Sequence, residues 1–225
     1  MKKLVSLSML IVMSFSLYAQ ELDVTRFLGI PVDGTKREMI QKLKAKGFES
    51  SSIEYPDVLT GEFNGNDVNI HVVTNNNKVW RIMVADVNGK SETDIKIRFN
   101  NLCRQFENNK KYTPVKEDQI ISQEENLSYE MNVNNKRYEA IFYQNAIVTD
   151  SVAYVAEEMQ NLVSLVEDTT NFFNNRELRK SLVELKALQS MQNKSVWFMI
   201  NQIYGKYYIV MYYDNEYNHA NGEDL

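Results

Sequence analysis

The sequence predicts an α+β fold: an antiparallel sheet built from hairpins, with helices packed mainly on one face. Two observations carry that expectation. Apolar runs of strand length come in pairs around turn residues, at Asn64-Gly65-Asn66, Asn75-Asn76-Asn77 and Tyr204-Gly205. Asparagine and glycine tolerate the positive φ that tight hairpin turns need. Helix-period segments fall between groups of strands, not between single strands, so parallel βαβ winding is not indicated.

The chain opens with MKKLVSLSMLIVMSFSLYAQ. Lys2 and Lys3 precede an apolar run from Leu4 to Leu17, and Ala19 supplies a small residue at a cleavage point. This is the layout of a secretory signal peptide covering residues 1–19. The run is shorter than the ~20 apolar residues that span a bilayer. The expected mature chain is a periplasmic or secreted protein with no membrane span.

The first helix is expected over residues 35–46. Thr35 and Glu38 make a capping box, in which hydroxyl and carboxylate each satisfy a backbone N–H. Met39, Ile40 and Leu43 form its apolar stripe, and Gly47 is placed to end it. Three strands follow. Residues 59–63 lead into the first turn. Val68, Ile70 and Val72 alternate with Asn69 and His71, the period of a half-buried strand. Residues 79–84, VWRIMV, are almost wholly apolar and are expected to be the most buried.

Ser91 and Asp94 start a second helix over 92–109. Ile95, Phe99, Leu102, Cys103 and Phe106 lie on one face of it. Residues 108–125 are charged, contain Pro114 and read as a linker. Residues 127–133 and 136–143 read as a hairpin around Asn134-Asn135. Helical spacing returns at 151–167 and 176–191. The chain closes with strands 196–200 and 207–213. This order divides the mature chain into an αβββα module, 20–112, and a ββααββ module, 113–225, which can share one sheet. VWRIMV finds a loose echo in VWFMI at 196–200.

Composition narrows the chemistry. The 225 residues carry a net charge of −5, with eight glycines, three prolines, one cysteine and two histidines. An acidic chain lacks the cationic surface that nucleic acid requires. No GxGxxG or GxxxxGK[ST] spelling supplies a phosphate cradle. One cysteine makes neither a disulfide nor a CxxC metal site, and two distant histidines make no local zinc site. No cofactor and no metal is expected. The fold must rest on core packing, although secretion usually goes with disulfides.

Candidate residues are few. Cys103 sits mid-helix between Phe99 and Phe106, where a thiol is a small core hydrophobe. His71 lies on the more polar face of its strand, but no GxSxG elbow offers a serine to it. The tail 214–224 partly matches a calcium loop at Asp214, Glu216 and Asn218, then places His219 where that loop needs glycine. Asn126-Leu127-Ser128 and Asn193-Lys194-Ser195 spell glycosylation acceptors. The strongest cluster is aromatic. Tyr207, Tyr208, Tyr212 and Tyr213 crowd the last strand, and tyrosine offers both stacking area and a hydroxyl. These four, with His71, are the candidate binding residues. Apolar character on both faces also fits a central strand covered on both sides.

Phrases such as GIPVDGTKREMIQKLKAKGF, NNNKVWRI and MYYDNEYNHANGEDL resemble secreted hypothetical proteins of gut Bacteroidales. A capped helix followed by three strands, over residues 29–85, resembles the small two-layer envelope modules of the outer-membrane assembly lipoprotein and beta-lactamase inhibitory protein type. That resemblance implies a fold that binds other proteins. The chain lacks the cysteine that would anchor a lipoprotein. The function expected is a non-enzymatic binding module for a protein or glycan of the cell envelope. The alternative is a hydrolase assembled in three dimensions around His71 or His219.

Overall fold

The computed structural model describes residues 23–145 and 191–219. The signal segment, the helix expected at 151–167, all but the last residue of the helix expected at 176–191, and the end of the acidic tail lie outside the described residues. What is described is α+β, with one all-antiparallel sheet of eight strands and a small N-terminal hairpin. The hairpin pairs β1 (Arg26–Phe27) with β2 (Ile30–Pro31). Helix α1 (Lys36–Ala45) follows, then β3 (Glu49–Ser50), β4 (Val58–Phe63), β5 (Asn66–Asn75) and β6 (Lys78–Asp86). Helix α2 (Glu92–Glu107) begins the second half, with β7 (Tyr112–Pro114), α3 (Leu127–Val133), β8 (Glu139–Gln144), β9 (Ser195–Ile203) and β10 (Lys206–Asp214).

The strand order, β3-β4-β5-β6-β10-β9-β8-β7, is a meander met by a second meander running the other way. Among the described residues each half opens with a helix and contributes four antiparallel strands, the second half with α3 between β7 and β8. The halves join where their last strands pair, with Met211 opposite Val84 and Tyr213 opposite Ile82. The sheet thus combines strands from both segments expected as modules. This arrangement equates β6 with β10, so the echo between VWRIMV and VWFMI falls on strands that are not equivalent. The outer strands, β3 and β7, have only two and three residues, which leaves little edge for another chain to pair with.

Local chemistry builds these elements as expected at most places. Thr35 caps α1, and the reciprocal Glu38 contact closes the box. That hydrogen bonding holds the Glu38 carboxyl below its usual range. Ser91 caps α2. The β5–β6 turn puts Asn76 and Asn77 at φ of 46° and 62°, and the β9–β10 turn puts Tyr204 at 49° and Gly205 at 72°. Both residues of such a turn need positive φ, a cost that Tyr204 bears and Gly205 does not.

Two expectations are corrected. Residues 127–133 form a helix, not a strand. Leu127, Tyr129, Met131 and Val133 alternate as a strand would, but the backbone ends of this segment are satisfied helically. The Asn126 side chain accepts from Tyr129 N–H at 2.9 Å, and the Glu92 carboxylate accepts from Leu127 N–H at 2.8 Å. The hairpin expected around Asn134-Asn135 is therefore absent, and β8 pairs with β7 and β9 instead. Nor is 108–125 a free linker. The Asn100 amide, on α2, donates to Ile121 O at 2.7 Å and accepts from Ile121 N at 2.8 Å. Gln119 accepts from Ile141 N at 2.7 Å. Lys96, only 6% exposed, reaches Gln123 O at 2.9 Å. Buried polar groups that find partners pin the loop.

The core lies between the helices and one sheet face. Met39 and Leu43 from α1, Ile95, Phe99, Leu102, Cys103 and Phe106 from α2, and Leu127 from α3 meet the inward side chains of β4 to β10. Phe198 is its aromatic centre, packed against Phe99, Phe106 and Phe142 at centroid distances of 5.1, 5.6 and 6.1 Å. Cys103 is one of these buried residues. Burial, with Glu107 close by, pushes its thiol up to about 12.

Candidate functional site

Side chains alternate across a strand, so the buried positions of one face identify the other. Among the described residues, the helices bury their apolar stripes against the first face alone. The second face, which no described helix packs against, is the open face. Cross-strand register assembles it into rows. One row runs Val58, His71, Met83, Tyr212, Trp197 and Ile141. The next runs Thr60, Asn69, Ala85, Val210, Met199 and Glu139.

At the end of the first row the side chains form a ladder. The Trp197 and Tyr212 rings stack with centroids 4.0 Å apart and planes 19° apart. The Arg81 guanidinium lies 4.7 Å from the Tyr212 centroid, 4.2 Å from that of Trp80 and 5.5 Å from that of Trp197. A cation over an aromatic face is attracted by the ring quadrupole. Trp80 joins because of a bulge: Val73 faces Arg81 and Thr74 faces Val79, so Trp80 has no partner in the ladder of pairs. The His219 ring meets Trp80 edge-on at 4.6 Å.

Asp214 fixes the geometry. It is 2% exposed and accepts both prongs of the Arg81 fork, at 2.6 and 2.7 Å. The same carboxylate accepts the Trp197 indole N–H at 2.9 Å. Its backbone oxygen accepts the Thr25 hydroxyl. A bidentate Arg–carboxylate pair has little freedom, so the ladder is set before anything binds. The Arg81 charge is met inside the protein, and what the face offers outward is ring surface.

The sequence-predicted binding residues divide between the two faces. Tyr208, Tyr212 and His71 belong to the open face. Tyr207 and Tyr213 belong to the covered one, at 4% exposure each. The Tyr213 ring packs on Phe27 at 4.8 Å, and burial raises its hydroxyl well above the ordinary range. The Tyr207 hydroxyl lies 3.5 Å from Glu92 and accepts from Gln202 at 3.2 Å. Tyr208 packs over Gly89, where an added Cβ would come within 2.7 Å of its hydroxyl.

His71 is held below its usual range by burial first and by the nearby Lys36 second. His219 has Glu216 at 3.8 Å on an exposed turn. Asn126 of the first acceptor spelling caps α3 through its side-chain oxygen. Asp214, the first residue of the partial calcium loop, is committed to Arg81 and Trp197. Among the described residues no group of three or more His, Cys, Asp or Glu side chains could hold a metal, and no helix is long and apolar enough to cross a membrane.

Sequence reasoning missed Trp80, Arg81, Trp197 and Asp214 as a unit. A signal was present: Trp80 and Trp197 are the two tryptophans of the chain, each second in its apolar run. Searches against protein-family models, curated proteins and solved structures find no match.

Proposed function

We propose that the protein is a non-enzymatic binding module of the periplasm or the secreted fraction, and that it takes a protein partner of the cell envelope on the open sheet face. The observation that carries this reading is the ladder Trp80–Arg81–Tyr212–Trp197. Tryptophan, tyrosine and arginine are the residues that dominate binding energy at protein interfaces. Here they are adjacent, rigidly held and partly exposed. At ~4.8 Å per strand, the six-strand row is about 24 Å wide. That suits one side of a standard interface of roughly 800 Å² per partner.

A protein partner is favoured over a glycan by charge and shape. The face is broad, its arginine is already neutralised by Asp214, and its rows add Val58, Met83, Met199 and Ile141 to the rings. Such a surface rewards apolar burial more than it rewards hydroxyl recognition. The test uses the immobilised protein with periplasmic and spent-medium fractions, beside a Trp197→Ala/Tyr212→Ala variant. A saturable partner retained by the wild type and lost by the folded variant supports the reading. Equal retention by both would remove the open face from it.

A further inference from the structure

We infer that the covered side of the molecule holds a second, separate site: a cleft that binds a small uncharged amphiphile. It opens between the end of α1 and the last turns of α2, above β4 and β10. Its volume is about 570 Å³, within the ~300–1,000 Å³ usual for small-ligand sites. Phe48, Phe63, Phe106, Tyr112, Met211 and Tyr213 make its floor and walls. The open-face ladder contributes nothing to it.

Three features select the ligand. The floor is mostly ring and thioether surface, with the Tyr112 and Tyr213 hydroxyls at its base. Tyr112 accepts from Gln144 at 3.4 Å, and Tyr213 is only 4% exposed. The buried part of a ligand therefore meets mainly apolar surface. The rim carries one cation and one anion, Lys46 and Glu62, with the amides Asn64, Gln105 and Asn109. Charges of opposite sign on one rim favour a neutral head, and amides both donate and accept hydrogen bonds. The Asn64 amide donates to Gln105 Oε1 at 3.0 Å across the mouth. That bond offers both a donor and an acceptor to a head group that replaces it.

The wall is also shaped by an absent side chain. A Cβ on Gly61 would lie 2.6 Å from the Phe48 ring. Glycine there lets the ring lie flat on β4, which keeps that wall recessed.

N-phenylnaphthylamine, an uncharged ring system that fluoresces when desolvated, is the probe. Titrated into the full chain, it should give one saturable site, at least about tenfold tighter than its anionic counterpart anilinonaphthalene sulfonate. Gln105 is exposed and supports no core contact, so Gln105→Trp should fill the mouth, weaken the probe about tenfold and leave the thermal midpoint in place. Arg104→Trp, one residue earlier on the same helix, should leave the probe unaffected. Trp197→Ala should also leave it unaffected, which separates this site from the open face. Absence of saturable binding, unchanged affinity in Gln105→Trp, tighter binding of the sulfonate, or loss of binding in Trp197→Ala would each overturn the inference.

Discussion

Trp197 and Phe198 are neighbours in the chain and lie on opposite sides of the sheet. Phe198 is wholly buried among three other phenylalanine rings. Trp197 stacks on a tyrosine beside an arginine, at a surface that no described helix covers. The same contrast runs along β10, where Tyr207 and Tyr213 serve the core and Tyr208 and Tyr212 serve the open face. Each face also has its own Asp–Arg fork. Asp86 accepts Arg98 of α2 at 2.6 and 2.8 Å on the covered face, and Asp214 accepts Arg81 on the other. One fork ties a helix to the sheet; the other fixes a ring ladder. Residue type does not separate the covered face from the open one here, but strand parity does.

Substitutions that differ only in the face they touch sharpen this contrast. Phe198→Ala should cost about 3–5 kcal/mol, the usual penalty for emptying a buried aromatic site, read from the urea midpoint. Trp197→Ala should cost far less stability, about 1–2 kcal/mol, because it removes one hydrogen bond and a partly exposed stack. It should nevertheless abolish partner capture. Equal destabilisation by both would mean that the open face is core as well.

Asp214→Ala comes next. It leaves the Arg81 guanidinium, 23% exposed, without its carboxylate, and removing one member of a buried pair costs up to about 3–5 kcal/mol. The loss should sit at the low end, since water reaches the arginine. Partner binding should fall with it, because the ladder loses its anchor. Retained binding in a folded Asp214→Ala variant would show that the rings hold their positions unaided.

Tyr204→Asn should stabilise the chain slightly, by about 0.5 kcal/mol, since asparagine accepts the positive φ that tyrosine resists. The thermal midpoint reads it.

The acid limb gives the smallest effect. Hydrogen bonds from Lys136 first and Tyr138 second hold the Glu125 carboxyl below its usual range. A depressed carboxyl contributes stability that is complete above its unfolded value and is lost as pH falls through the folded one. Glu125→Gln should therefore flatten the decline in the urea midpoint below about pH 4.5. An unchanged acid limb would show that this cluster contributes nothing.

The legible part of the fold was local. Thr35 with Glu38, Asn76-Asn77 and Tyr204-Gly205 mark helix starts and turns through bonds within a few residues, and those elements stand where they were expected. The α+β class followed from them. The errors were long-range. Residues 127–133 alternate like a strand, yet Glu92, about 35 residues earlier, supplies the carboxylate that caps them as a helix. The polar run 108–125 looked solvated because nothing in it reveals that Asn100 and Lys96 wait on α2. The site suffered in the same way. Tyr208, Tyr212 and His71 were visible in their own strands. The ladder was not, since Trp80, Arg81, Trp197 and Asp214 come together only through the β6–β10 and β9–β10 pairings.

Side-specific photo-crosslinking tests the central claim most directly. A photoreactive side chain is placed at His71 or Tyr208 on the open face, or at Gln41 or Arg104 on the outward surface of the helices. Each variant is then irradiated with periplasmic and spent-medium fractions. Adducts to one saturable partner from the open-face positions, and none from the helix positions, are the predicted result. Adducts to that partner from the helix positions alone, or equally from both sides, would contradict the assignment of binding to the open face.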